Sequence, residues 1–373
     1  MGTHIIKVNA SGEFAEAVRE ASQVLRNGGL VAFPTETVYG LAARADDPKA
    51  MARLRTVKER DGHRAFTVHI AEREEARRYA DSMPGLAERF IRKAWPGPLT
   101  LIVGVADPAR APVMAGRNGS VAGAIFFENT VGLRCPDDEI ARELLKAADG
   151  PVVAASANQA GHPPPWTGDE VLRDLEGKFD LLLDAGRTKY AKPSTIVRVM
   201  EGGYELLREG VLDAGNIERL SILRLLFVCT GNTCRSPMSA GLARKMLAER
   251  LGGDASALAR RGVIVSSAGT SGGVGTASVG AMTVMTRRDV DLSDHASTAL
   301  TPELVQQADH IYAMTRTHRD AVVSMVPSAE RRVRLLLDDE DVHDPMGASE
   351  DEYERCARTI ERGLKARLQE VVI

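Results

Sequence analysis

The stretch Leu225-Leu226-Phe227-Val228-Cys229-Thr230-Gly231-Asn232-Thr233-Cys234-Arg235-Ser236-Pro237 constrains the fold more than any other part of the chain. An apolar run reads as a strand, a seven-residue loop opens on Cys229 and closes on Arg235, and Pro237 suits the first turn of a helix. The same loop has the makings of a thiol nucleophile for a phosphate ester. Backbone N–H groups between Cys229 and Arg235 can converge on an anion. The positive end of the following helix favours the Cys229 thiolate. Arg235 offers a planar two-pronged donor to phosphoryl oxygens. From spacing alone, a strand–turn–helix with two ordinary buried cysteines is the plainer alternative.

Three more strand candidates follow: 262–266, His310–Ala313 and 333–336. Helical patterns lie between them, and 353–371 reads as a long closing helix. That alternation predicts a four-stranded parallel sheet with right-handed crossovers over residues 221–373. Cys229 and Asp344 follow strands, so both are expected at one sheet edge, where such a sheet places its ligand. Gly-rich 271–280 has no strand leading into it at nucleotide-fingerprint spacing and reads as a plain connection.

With 373 residues more than one domain is expected. Residues 1–220 alternate helical patterns with short β-rich runs, so a broad mixed sheet with helices on it is expected there. Strand candidates are 30–33, 66–70, 99–105, 131–134, 152–155, 181–184, 195–199 and 205–207; helical patterns cover 14–26, 48–58, 74–79, Gly85–Ala94, 140–146 and 169–175. The boundary falls near Leu220. The formal net charge of −3 implies no bulk attraction to nucleic acid. No apolar run approaches the roughly 20 residues of a membrane-spanning helix, and the first residues show no secretory pattern. The four cysteines, Cys135, Cys229, Cys234 and Cys356, show neither a paired framework nor metal spacing. A reducing cytoplasm is the expected compartment.

Three clusters in the first half carry chemistry. Phe33 to Ala42 runs hydroxyls and a phenol through a strand end; Lys58, Arg60 and Arg64 crowd before a strand that carries His69; Ser156 and Asn158 end another strand. Cations beside polar strand ends suit a polyphosphate. From spacing alone the cations equally suit a solvated helix end, and His69 a half-buried strand histidine.

Residues 222–373 resemble the low-molecular-weight protein phosphatase family. The resemblance rests on the loop quoted above, Ser266–Thr270, Asp294–Ser297 and His343-Asp344-Pro345-Met346-Gly347. It implies catalysis by Cys229, Arg235 and Asp344 and a phosphate loop of Thr230, Gly231, Asn232, Thr233, Cys234 and Ser236, with a phosphoprotein substrate and no cofactor. Cys234 reads either as a packed side chain or as a resolving thiol. Thr230 after the nucleophile, and Met346-Gly347 where an aromatic wall would stand, resemble the arginine-phosphatase branch; phosphotyrosine is the alternative.

Residues 5 to about 212 resemble the YrdC/Sua5 family of L-threonylcarbamoyladenylate synthases. Pro34–Ala42, Trp95–Thr100, Val131–Pro136, Ser156–Asn158 and Pro193–Val197 occur in the family's order. The resemblance implies formation of threonylcarbamoyl-AMP from ATP, L-threonine and bicarbonate with Mg²⁺, for modification of tRNA adenosine-37, with tRNA or tRNA-modification proteins as further partners. It places ATP at Lys58, Arg60, Arg64, Thr130, Ser156, Asn158 and Arg208. It places threonine at Thr37, His69, Arg134 and Ser194. Asp61, directly after Arg60, departs from the family pattern and adds a negative charge beside the phosphate site. The whole chain thus reads as α/β with two domains, a YrdC-like twisted mixed sheet with helices over 1–220 and a four-stranded parallel, doubly wound phosphatase sheet over 221–373. The alternative is a tyrosine phosphatase behind a non-catalytic module that binds RNA or nucleotide.

Overall fold

The computed structural model describes residues 2–8, 14–59, 64–117, 119–253 and 255–373, with backbone only for Ser120 and Ala255. The chain divides into two compact units, Met1–Leu220 and Ser221–Ile373.

The first unit is one mixed sheet. Its strands are β1 (His4–Lys7), β2 (Val31–Phe33), β3 (Gly40–Arg44), β4 (Thr67–His69), β5 (Leu99–Gly104), β6 (Phe126–Phe127), β7 (Thr130–Arg134), β8 (Val152–Ser156), β9 (Leu181–Asp184), β10 (Thr195–Met200) and β11 (Gly203–Arg208). Among the described residues they run in the order β1-β9-β2-β3-β8-β4-β7-β5-β10-β11, with β6 paired to β7. Both faces are covered. Val31 and Phe33 pack with the helices Ala15–Arg26 and Glu139–Ala147. Leu30 and Ala32 pack with the helices Pro48–Val57 and Gly85–Ala94 on the other side. That period-two division sends successive β2 side chains to opposite layers. Asp47 starts the helix Pro48–Val57 by accepting from the Lys49 and Ala50 amides, and the helix ends at Lys58.

Four elements of this unit depart from the sequence expectations. β3 reads Gly-Leu-Ala-Ala-Arg, residues of low strand preference, and exists because β2 and β8 pair with it on both sides. β1 and β6 are short strands held by β9 and β7. The helix expected over 74–79 is a 3₁₀ helix, Arg73–Arg78, closed by a reciprocal cap between Glu72 and Glu75.

The second unit holds β12 (Leu223–Cys229), β13 (Val263–Gly269), β14 (His310–Ala313) and β15 (Val333–Leu335), all parallel in the order β13-β12-β14-β15. Along β12, Leu225, Phe227 and Cys229 pack toward the helices Arg235–Arg250 and Glu350–Gln369. Leu226 and Val228 pack toward Pro302–Gln307 and Arg316–Met325. The central strand is therefore buried on both faces, as its unbroken apolar run requires. No described helix is long and apolar enough to cross a membrane.

Candidate active sites

In the first unit a cleft of about 410 Å³ opens over the centre of the sheet. His69, Arg134 and Thr100 are register partners across β4, β7 and β5, which sets one row of side chains along its floor. Arg134 is 6% exposed, and its Nη2 donates to Thr37 Oγ1 (2.6 Å), Glu36 Oε1 (3.1 Å) and Thr35 Oγ1 (3.3 Å). Its Nε has no partner among the described residues. A buried unpaired donor costs about 1–3 kcal/mol, and an anionic ligand would relieve that cost. Arg208 lies over the same floor and donates through Nε and Nη2 to the Ser194 carbonyl (3.1 and 2.8 Å); Ser194 Oγ in turn meets Thr100 Oγ1 at 3.0 Å. Two groups register the positive field here. His69 is pushed down to about 3, by burial first and the Arg134 charge second, and is neutral at physiological pH. Arg208 is lowered for the same two reasons.

At the other side of the cleft Lys58 Nζ donates to the Ser156 carbonyl (2.8 Å), to the Asn158 carbonyl and to Asn158 Oδ1 (3.2 Å). The end of the helix Pro48–Val57 is thereby tied to the end of β8. Lys58, Ser156, Asn158, Arg208, His69, Arg134 and Ser194 all line the cleft. Thr37 lies beneath it, held by Arg134. Thr130 is absent from the lining but shares the β7 face of Gly132 and Arg134, roughly 13 Å along the strand from Arg134 at about 3.3 Å per residue. Arg64 is exposed and away from the cleft, its carbonyl accepting from Arg55. Arg60 and Asp61 lie outside the described residues. Thr35, Glu36 and Thr100 complete the site; the sequence marked them only as members of the motifs 33–42 and 95–100, with no role of their own, and Glu36, 2% exposed, is the buried counter-charge of Arg134.

In the second unit Cys229 ends β12, and its sulfur is 2.9 Å from Ser236 Oγ and accepts from the Asn232 amide at 3.3 Å. The start of the helix Arg235–Arg250 lies directly after this loop. Asn232 adopts φ +55° and fixes the loop. Its Nδ2 donates to Ser236 Oγ and Ser267 Oγ, its Oδ1 accepts from the Thr298 amide, and its carbonyl meets His295 and Ser297. The connection 271–280 has a structural role the sequence reading did not give it: the Ser271 and Ser278 amides donate to the Thr230 and Thr233 carbonyls of the loop.

Arg235, 4% exposed, donates through Nη1 to the Val342 carbonyl and through Nη2 to Asp344 Oδ2 and Thr230 Oγ1. Its Nε, like that of Arg134, is buried without a partner among the described residues. Asp344 thus meets the loop through Arg235. Cys234 Sγ donates to Ser278 Oγ (3.2 Å) and meets the Tyr353 hydroxyl (3.4 Å). The Thr233 hydroxyl contacts that sulfur, and Gly273 lets the chain pass tightly by the loop, since a Cβ there would sit 2.9 Å from the Gly231 carbonyl oxygen. Burial pushes the Cys356 thiol up to about 12 and the Cys135 thiol up to about 12, so neither is a nucleophile. His318, reached by both Thr230 and Thr315, is a neighbour the sequence reading missed; its one signal is the spacing Thr315-x-x-His318 at a helix start.

Comparison with known proteins agrees with both halves. Residues 23–210 match the Sua5/YciO/YrdC family model, described as telomere recombination, and residues 224–372 match low molecular weight phosphotyrosine protein phosphatase. The threonylcarbamoyl-AMP synthase of Pyrococcus abyssi is 36% identical over 203 residues, 54% of this chain and 56% of that protein. The chain therefore spans about half the length of that relative. The threonylcarbamoyl-AMP synthase of Chromohalobacter salexigens is 34% identical over 197 residues, 52% of this chain and 99% of that protein. The crystal structure of Pyrococcus abyssi Sua5 with L-threonine shares the fold at a TM-score of 0.52 and 22% identity, covering 96% of this chain and 98% of that one. The chain belongs to the Sua5/YciO/YrdC family through residues 23–210 and carries a low-molecular-weight phosphatase domain over residues 224–372.

Proposed function

We propose that the chain is a bifunctional enzyme with domains 1–220 and 221–373. The first makes threonylcarbamoyl-AMP from ATP, L-threonine and bicarbonate; the second is a cysteine-dependent phosphatase acting on phosphoarginine in proteins. The observation that carries the first reading is Arg134, buried among hydroxyls with an Nε that has no partner among the described residues, in the cleft that also holds Lys58, Ser156 and Asn158. The guanidinium takes the threonine carboxylate, and the Thr37 and Ser194 hydroxyls bracket it. Neutral His69 adds no repulsion toward the threonine ammonium. Lys58, Arg60, Ser156, Asn158, Arg208 and, further along β7, Thr130 hold ATP, while exposed Arg64 is left out of the site. The carbamate made from threonine and bicarbonate attacks the α-phosphorus; one O–P bond forms, the bond to the β-phosphate oxygen breaks, and pyrophosphate leaves. Mg²⁺ would neutralise the ATP phosphates. Ser156 and Asn158 fit a phosphate-held ion, and no cluster of three acidic, His or Cys side chains competes for it among the described residues. The product goes to tRNA-modifying partners. Isothermal titration checks the first half: L-threonine and ATP bind one site, and a module that binds RNA alone ignores threonine.

In the second half the Cys229 thiolate attacks phosphorus, and Arg235 with the loop amides holds the equatorial oxygens. Asp344 moves off Arg235 to protonate the leaving group, then takes a proton from the water that cleaves the S–P bond. Phosphoarginine is favoured because Thr230 sets a hydroxyl beside Arg235, while Met346 is exposed and Gly347 adopts φ +76°, leaving no ring there to stack on a phenol. A lost stacking contact is worth roughly 0.5–1.5 kcal/mol, too little to exclude tyrosine, so Thr230 carries the rest. Thr230→Ile shifts kcat/KM on matched peptides toward phosphotyrosine; an unchanged ratio speaks for the tyrosine reading.

A further inference from the structure

The hydroxyl of Thr230 sits in a chain of four polar side chains. Thr315 Oγ1 is 2.9 Å from His318 Nδ1, His318 Nε2 is 2.9 Å from Thr230 Oγ1, and Thr230 Oγ1 accepts from Arg235 Nη2 at 3.3 Å. His318 is 5% exposed and neutral at physiological pH, because burial and the Arg235 charge both disfavour its cation. A neutral imidazole donates at one nitrogen and accepts at the other, so only two arrangements exist. With the proton on Nε2, Thr230 accepts from both His318 and Arg235, and its own O–H turns to the substrate. With the proton on Nδ1, Thr230 donates to Nε2, and the remaining lone pair of Oγ1 turns to the substrate. Electrostatics separates the two. Arg235 is a fixed cation on the Nε2 side, so the lone pair of Nε2 is favoured there and an N–H is opposed. On the other side Thr315 Oγ1 already accepts the His318 amide as the cap of the helix Arg316–Met325, and it can take the Nδ1–H as a second donor.

We propose that His318 is a positioning residue that holds the Thr230 hydroxyl as a hydrogen-bond acceptor, and so selects leaving groups that carry an N–H beside the scissile bond. A phosphoguanidine has such an N–H. A phenyl phosphate offers only an ester oxygen at the same place, which meets a lone pair instead of a donor. The inference rests on the phosphatase reading of Cys229 and adds the device behind its substrate choice. Sequence spacing alone does not show it, since His318 lies 88 residues from Thr230 in the chain.

The test is a double-mutant cycle in the full chain with Thr230→Val, His318→Leu and both together. Each protein is assayed on a phosphoarginine peptide and a matched phosphotyrosine peptide. The expected result is that His318→Leu lowers the ratio of the two kcat/KM values about ten-fold, and lowers it no further once Thr230 is Val. A merely structural role depresses both substrates together and leaves the ratio alone, which overturns the proposal. Imidazole ¹⁵N NMR of the unmutated protein gives a second reading that needs no variant to fold: a protonated Nδ1 and a bare Nε2 support the proposal, and the reverse tautomer contradicts it. A wild type inactive on both peptides, or a Cys229→Ser variant that keeps full activity, removes the phosphatase reading itself and is distinct from either failure of the inference.

Discussion

At the residue scale, two buried arginines organise the chemistry, one in each unit. Arg134 is paired with Glu36 inside the protein, and removing one partner of such a pair strands the other charge at a cost of about 3–5 kcal/mol. Arg134→Ala is therefore expected to lower the melting temperature as well as threonine affinity. Adding Glu36→Gln should recover much of the stability but none of the affinity; recovery of both would mean that Arg134 does not touch the ligand. Of the two loop cysteines, only Cys229 carries the contacts of a nucleophile, while Cys234 is occupied by Ser278 and Tyr353. Cys229→Ser should abolish dephosphorylation, and Cys234→Ser should keep most of it under reducing conditions. The pH response follows from His69 and His318, held near 3 and 4 against an ordinary value near 6.5. Between those limits the unfolded chain binds more protons, so stability is fullest above pH 6.5 and is lost as pH falls toward 4 and 3. Melting curves of His69→Gln and His318→Gln should each lose up to about one proton of that dependence. Slopes identical to the wild type would show that neither histidine is buried neutral.

At the scale of elements, much of both sheets was legible in the sequence, and the gaps have physical causes. β12 announced itself as an unbroken apolar run, and β13, β14 and β15 stand within a few residues of expectation. β3 was not legible, because Gly-Leu-Ala-Ala-Arg has no local strand preference and its conformation is imposed by neighbours distant in the chain. The sites divide in the same way. The loop residues lie close together in sequence and carry their spacing with them. Glu36, Thr100 and His318 act through contacts made only when strands and helices far apart in sequence are assembled. One such contact is a test in itself. The end of β13 lies so close under the phosphate loop that a Cβ on Gly269 would sit 2.6 Å from the Thr230 carbonyl oxygen and 3.0 Å from the Asn232 nitrogen. Backbone cannot yield as a side-chain tip does, so Gly269→Ala must displace the loop. A shift of order 1 Å costs about a hundred-fold in rate. Dephosphorylation should fall by ten- to a hundred-fold while the far-UV circular dichroism stays close to wild type; unchanged kinetics would mean the loop is not held by β13.

At the scale of the molecule, each unit has its own cores. The clusters around β2 and β7 draw on residues up to Ile217, and those around β12 begin at Leu223. Two sets of chemistry follow: Arg134 belongs to the first unit and Cys229 to the second. The central claim is that both units are enzymes, and the first half meets its most direct test in one reaction. The intact protein and its Cys229→Ser variant are incubated with ATP, bicarbonate, L-threonine and Mg²⁺, and the products are read by mass spectrometry. The account predicts threonylcarbamoyl-AMP and pyrophosphate only when threonine and bicarbonate are both present, at equal rates in the two proteins. Pyrophosphate released without threonine, or no adenylate from either protein, would contradict it.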